Sequence, residues 1–187
     1  MKHIKPYRVY EVRTQRKDRL GQGFEHDVYG SKLKPDFVIK KFTADEDLYS
    51  KEDWQEMLDA SVENPEIFAK IGRISLDKGY FTQEKLDERG LTRDFMELGR
   101  YLFDKEVDTG DGDVLAFFYL NPDRLHVLLD TPWRETLLPK LKRFLDRVDR
   151  AGYGSGGSYL GDIRLTNLGY DKDGEIKILD FNFTSEY

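Results

Sequence analysis

Tyr159-Leu160-Gly161-Asp162-Ile163-Arg164-Leu165-Thr166-Asn167 is followed by Ile176-Lys177-Ile178-Leu179-Asp180-Phe181-Asn182. The reading of the whole chain turns on these two segments. They set Asp162 and Asn167 five residues apart, then return through Asp171-Lys172-Asp173-Gly174, a turn composition. The short apolar run that follows reads as a strand and delivers a second aspartate, Asp180. Asp162, Asn167 and Asp180 would then meet at one end of a small hairpin. Two oxygen ligands and a carboxylate base in one place suit a metal-bound nucleotide polyphosphate. They equally suit a plain hairpin with polar ends, because Asp and Asn are common turn residues. The rest of the chain has to decide between the two.

Composition narrows the field. A chain of 187 residues can form one domain or two small lobes, and 39% hydrophobic residues with 13% aromatics can build a core. Charged residues make up 35% with both signs interspersed, which describes a solvated surface rather than a disordered chain. The formal net charge of -6 argues against nucleic acid as a general partner. There is no Cys, which removes disulfides, thiolate metal sites and Cys nucleophiles, and the three His are scattered. No apolar run reaches membrane-spanning length and no secretory leader follows Met1, so a soluble cytoplasmic protein without membrane contact is expected.

From the start, residues 7–13 alternate as a strand whose basic side chains read as a solvated face. Leu20-Gly21-Gln22-Gly23-Phe24 places two glycines where a hairpin backbone could approach a ligand and offer its N–H groups to phosphates. An ordinary hairpin turn would look the same. Phe37-Val38-Ile39-Lys40-Lys41-Phe42 is a strand on which alternation puts Lys40 on the apolar face with Val38 and Phe42, and Lys41 toward water. A Lys on a buried face needs an anionic partner. The helix expected over 44–62 carries Glu52 and Glu56 one turn apart, either of which could supply it. That helix has an apolar stripe of Leu48, Trp54, Met57, Leu58 and Val62 and ends at Pro65. Strands are expected over 68–76 and 80–86.

A helical section follows. It opens with a helix over 91–103, continues through an acidic loop at 104–113 that lacks the ligand spacing of an EF-hand, and reaches an apolar run at 114–120 of open type. Asn121-Pro122 and Thr131-Pro132 read as helix starts, the first running through Leu129 and the second leading into a long amphipathic helix over 133–150. The run 152–157 is glycine-rich and too short to link independent domains.

A glycine loop, a strand Lys, a helix Glu, a strand leading to Glu84-Lys85-Leu86, a helical section, then Asp…Asn…Asp-Phe: this ordered set resembles the protein-kinase-like phosphotransferases over about residues 8–183. The resemblance implies an α+β, two-lobed protein-kinase-like fold. Residues 1–86 would form an antiparallel β lobe with one helix that binds the nucleotide. Residues 87–187 would form a reduced, mainly helical lobe carrying the catalytic loop. It implies ATP and magnesium as cofactors. Gly21, Gly23 and Val28 would cover the nucleotide, with His26 where a third glycine is usual. Lys40 would orient the phosphates, fixed by Glu56 with Glu52 as the alternative. Glu84 and Leu86 would hold the adenine edge through their backbone. Asp162 would accept the acceptor's proton, Arg164 would touch the transferred phosphate, and Asn167 and Asp180 would hold the metal.

The departures from that pattern shape the functional expectation. Leu160 stands where the family has His, and Gly161-Asp162 is closer to the His-Gly-Asp of aminoglycoside and choline kinases than to the His-Arg-Asp of protein kinases. Asn182 replaces the last Gly of Asp-Phe-Gly. Five residues follow Asn182, which leaves no room for an activation loop or a peptide-binding groove and suggests a minimal or truncated member. The expectation is an ATP- and magnesium-dependent phosphotransferase acting on a protein or small-molecule hydroxyl. The alternatives are an inactive pseudokinase serving as an interaction module and, third, nucleotidyl transfer at the same metal site.

Overall fold

Aromatic and β-branched residues dominate Phe37–Phe42, and this strand becomes the centre of an antiparallel sheet. The computed structural model describes residues 19–22, 26–42, 51–75, 78–109, 113–153 and 163–179. The sheet contains β1 (Arg19–Gln22), β2 (His26–Gly30), β3 (Phe37–Phe42), β4 (Ile71–Ser75) and β5 (Tyr80–Glu84) in the order β1-β2-β3-β5-β4. Helix α1 (Lys51–Glu63) lies in the chain between β3 and β4. The β4–β5 turn passes through Gly79 at φ 61°, a conformation that favours glycine. A bulge between Ile71 and Arg73 shifts the β4–β5 register. Gly72 permits it, since a Cβ there would lie 2.8 Å from Thr82 Oγ1 and 3.1 Å from Phe37 Cε1.

The helical section consists of α2 (Glu88–Asp104), α3 (Val114–Leu120), a 3-10 helix (Pro122–Leu128) and α4 (Leu137–Arg150). Asp87 caps α2 by accepting the Gly90 N–H at 3.0 Å, and Asp113 caps α3 by accepting the Leu115 N–H at 2.8 Å. Helix α4 buries Leu137, Leu141, Phe144, Leu145 and Val148 along one face. Pro139 falls in its first turn, where a missing N–H costs no intrahelical bond. The chain closes with the hairpin β6 (Leu168–Tyr170) and β7 (Ile176–Ile178). Its turn has Gly174 at φ 77°, and Asp171 Oδ1 accepts the Asp173 and Glu175 N–H groups, both at 2.9 Å. One core runs from Ile71 and Phe81 of the sheet through Leu91, Phe95 and Phe144 to Leu168 and Ile178 of the hairpin. Each large side chain buried there contributes about 1.5–3 kcal/mol.

The α+β class with an antiparallel sheet and several helices is as expected, but several elements differ. The strand expected over 68–76 begins only at Ile71, because residues 67–69 run parallel to β7 instead. Ala69 N–H donates to Ile178 O and Ile178 N–H to Ile67 O, both at 2.8 Å. The strand expected over 80–86 ends at Glu84. Asn121 does not cap a helix with its side chain; its Nδ2 donates back to Phe117 O at 3.0 Å. The long helix starts at Leu137 rather than at 133, since residues 131–136 form turns in which Thr131 Oγ1 accepts the Trp133 N–H at 3.2 Å. Val62, placed on the apolar stripe of α1, is 67% exposed, and Met57 and Ala60 carry that helix's burial. The apolar run of open type is the helix α3. The strand expected over 7–13, residues 43–50, the side chain of Trp54 and residues 154–157 lie outside the described residues.

Ion pairs pin the terminal hairpin on two sides. Arg143 reaches Glu175 with Nη2 at 2.6 Å and Nε at 3.0 Å, and Arg147 Nη2 lies 3.0 Å from the same carboxylate. Lys177 Nζ sits 3.0 Å from Glu84 Oε2 on β5 and 3.6 Å from Asp171 Oδ2. The hydrogen bond from Arg143, reinforced by both guanidinium charges, holds the Glu175 carboxyl below its ordinary range. A depressed carboxyl adds stability that is full above the ordinary carboxylate range and lost as pH falls through the folded value. Glu175→Gln should therefore lower the unfolding free energy by about 1 kcal/mol at neutral pH. In urea titrations from neutral to acid pH, the gap between wild type and variant should close. A gap that stays constant into acid would assign the loss to packing instead of charge.

Candidate functional site

Strand pairing gathers the polar residues of the sheet. Lys40 on β3 stands opposite Val28 on β2 and Phe81 on β5, and Val38 stands opposite Gln83. Directly opposed residues and residues two apart share a face. One face of the sheet therefore carries Val28, Val38, Lys40, Phe81 and Gln83. Lys40 is 6% exposed with its Nζ 5.8 Å from the Phe81 ring centroid, whereas Lys41 is exposed on the other face. The alternation of β3 foretold this division.

Gln83 went unnoticed in the sequence. Its side chain is fully buried, and its Nε2 donates to Leu179 O at 2.6 Å. Its Oε1 has no hydrogen-bond partner among the described residues. A buried acceptor without a partner costs about 1–3 kcal/mol, which marks it as a group suited to a ligand donor. The signal was available: period-two alternation from Phe81 puts a Gln on the apolar face that also holds Lys40.

Glu84 and Leu86 lie beside this face. The Glu84 side chain is committed to Lys177 and to the Lys70 N–H at 3.1 Å, and its backbone N–H donates to Lys70 O at 2.8 Å. Leu86 is buried with Ala69 and Leu179 in a small apolar cluster. Gly169 allows β6 to pack against this segment, since a Cβ there would lie 2.6 Å from Leu86 Cβ. Asp87 and Tyr170 exchange backbone bonds at 2.7 and 3.3 Å at the same place. The Tyr170 hydroxyl donates to Asp94 Oδ2 at 2.8 Å, and Lys140 Nζ lies 4.3 Å from its ring centroid. Burial, reinforced by that bond to Asp94, raises the phenol's pKa and keeps it neutral as a link between β6 and α2.

The 163–167 loop is held from outside. Asp113, read in the sequence only as part of an acidic loop, caps α3 with Oδ1 and accepts the Leu165 N–H with Oδ2 at 2.6 Å. Ile163 is buried and Arg164 exposed, and the Asn167 N–H donates to Arg164 O at 2.8 Å. Asn167 is half-buried, and its Oδ1 accepts the Thr166 hydroxyl at 3.4 Å. Its backbone carbonyl accepts the Leu179 N–H at 2.7 Å. The Leu179 peptide groups thus connect the Asn167 loop to Gln83 on the Lys40 face.

Gly21 pairs with Val28 across the β1–β2 hairpin, and Val28 is half-buried. Glu56 is exposed on α1. Gly23, Asp162, Asp180 and the side chain of Glu52 lie outside the described residues. No group of three or more His, Cys, Asp or Glu gathers in metal-binding geometry among the described residues. Asn167 supplies one amide oxygen of the kind magnesium accepts. No helix among the described residues is long and apolar enough to cross a membrane.

No family model matches the chain, and no curated protein matches it. Among solved structures, a choline kinase from Streptococcus pneumoniae aligns at a TM-score of 0.39 and 13% identity, over 86% of this chain and 60% of that one. This chain therefore spans less than two thirds of that structure's length.

Asp113→Ala should release the 163–167 loop along with the α3 cap. Unfolding free energy should fall by about 1–3 kcal/mol, and the Leu165 and Leu115 amides should exchange with deuterium faster than those of α4. Unchanged exchange at Leu165 would contradict the tether.

Proposed function

We propose that the chain is a phosphotransferase of protein-kinase-like fold that uses ATP and magnesium and phosphorylates a hydroxyl group. The observation that carries this reading is the double bonding of Leu179, whose N–H donates to Asn167 O and whose carbonyl accepts from Gln83 Nε2. It sets the segment entering Asp180 between the Asn167 loop and the sheet face that buries Lys40. In this reading residues 1–86 form the nucleotide-binding lobe and residues 87–187 the lobe with the catalytic loop. The nucleotide base would lie against Val28 and the Ala69–Leu86–Leu179 cluster, with the backbone of Glu84 and Leu86 at its edge. Gly21 and Gly23 would cover the phosphates, and Lys40 would hold them by charge.

The donor set fits a magnesium-bound polyphosphate in kind: a buried ammonium, an amide oxygen at Asn167, and carboxylates at Asp162 and Asp180. Magnesium, when bound by Asn167 and Asp180, would neutralise charge on the transferred group. Asp162 would orient the acceptor hydroxyl and take its proton. The hydroxyl oxygen would bond to the γ-phosphorus as the bond to the bridging oxygen breaks and ADP leaves. Arg164 would steady the phosphoryl oxygens. The exposed position of Glu56 favours one second reading, a kinase-shaped module that binds nucleotide without transfer.

Radiolabelled ATP incubated with the protein and a cell extract tests the proposal. Label should pass to an acceptor and be lost with Asp162→Ala. Lys40→Met should weaken magnesium–ATP binding about tenfold or more. Equal labelling with Asp162→Ala would overturn transfer, and thermal stabilisation by nucleotide without any transferred label would select the binding module.

A further inference from the structure

An open groove of about 510 Å³ lies between α2 and the 163–167 loop, next to the segment that carries Asn167. Its volume falls within the range of small-molecule sites. At about 100° per residue, Arg89, Arg93, Met96 and Arg100 fall within a stripe of about 60° on α2, and all four are exposed. Glu88 and Glu97 also line the groove; Glu88 lies about 100° to one side of Arg89, and Glu97 lies about 40° beyond Arg93 on the other, one turn from Arg93 and Arg100. The guanidiniums thus occupy the centre of the helical wall and the carboxylates its two edges. The Arg93 partner is Asp94 at 3.6 Å, with Arg93 71% exposed, an arrangement that neutralises little. Met96 and Leu165, with the aliphatic stems of the arginines, supply an apolar lining. With three arginines against two glutamates, the lining is net positive in a chain of net charge -6.

We propose that this groove seats the phosphate-acceptor substrate, and that the acceptor is a small hydroxylated molecule bearing its own anionic group, a phosphate or a carboxylate. The inference rests on the phosphotransferase reading for the word acceptor; the anion site itself stands on the groove. Planar guanidiniums bind phosphate and carboxylate oxygens in bidentate fashion, and arginines one turn apart can share one such group. An anion clamped against Arg89 and Arg93 places the molecule's hydroxylated end beside Leu165 and Thr166. These lie between Arg164 and Asn167, on the loop that follows Asp162.

Calorimetric titration with glycerol 3-phosphate, with glycerol and choline as uncharged and cationic comparisons, tests the class. Glycerol 3-phosphate should bind, and glycerol and choline should not. Replacing Arg89, Arg93 and Arg100 together by Gln should weaken that binding at least tenfold, while Arg134→Gln, an exposed arginine away from the groove, should leave it unchanged. Thermal unfolding of the variants serves as the check on folding, which exposed substitutions should pass. Equal binding of glycerol, preference for choline, or unaltered binding in the triple variant would overturn the proposal. So would saturation by an acidic peptide in place of glycerol 3-phosphate. Stabilisation by magnesium–ATP is measured on the same samples. If it fails while glycerol 3-phosphate still binds through the arginines, the phosphotransferase reading falls and the anion site stands; the converse removes only the anion site.

Discussion

The backbone of Leu179 donates to Asn167 and accepts from Gln83, and those two hydrogen bonds join the described parts of the candidate site. A short terminal hairpin has little intrinsic stability in water. Here it becomes part of the core because β7 pairs with residues 67–69, β6 pairs with Asp87, and Leu168, Ile176 and Ile178 are buried. The ion pairs of Glu175 with α4 and of Lys177 with Glu84 then fix its orientation against helix and sheet. Local sequence makes the turn, tertiary pairing holds the hairpin, and the hairpin brings the Asn167 loop to the face that buries Lys40.

Much of this was legible in the sequence because the signals were local. Alternation in Phe37–Phe42 assigned Lys40 inward and Lys41 outward. The Asp171–Gly174 turn, the helical spacing of Leu141, Phe144 and Val148, and the polar residues of the terminal segment could all be read without knowing the fold. The resemblance to kinase-like phosphotransferases came from the order of these signals rather than from any one of them.

What escaped the sequence was non-local. Alternation puts Gln83 on an apolar strand face, but its bond to Leu179, 96 residues away, is not written in the local pattern. Asp113 reads as one acid among several, yet it spans 52 residues to hold the Leu165 N–H. Residues 67–69 have the composition of a continuous strand, and only pairing with β7 shows why β4 starts later. Spacing favours Glu56 over Glu52 as the partner of Lys40, but the two lie one helical turn apart on one face. The exposure of Glu56 then depends on how α1 is rotated against the sheet, which local pattern does not fix. Arg89, Arg93 and Arg100 become a set only when the 163–167 loop forms the facing wall.

In the proposed function, the face bearing Lys40 and Gln83, joined through Leu179 to the Asn167 loop, holds a nucleotide polyphosphate. A crystal structure of the protein with magnesium and a non-hydrolysable ATP analogue would decide it. Phosphate oxygens should lie within hydrogen-bonding distance of Lys40 Nζ, with the base packed on Leu86 and Leu179 and the metal held by Asn167 and Asp180. A nucleotide bound elsewhere, or one bound here with its phosphates directed away from Lys40 and Asn167, would contradict it.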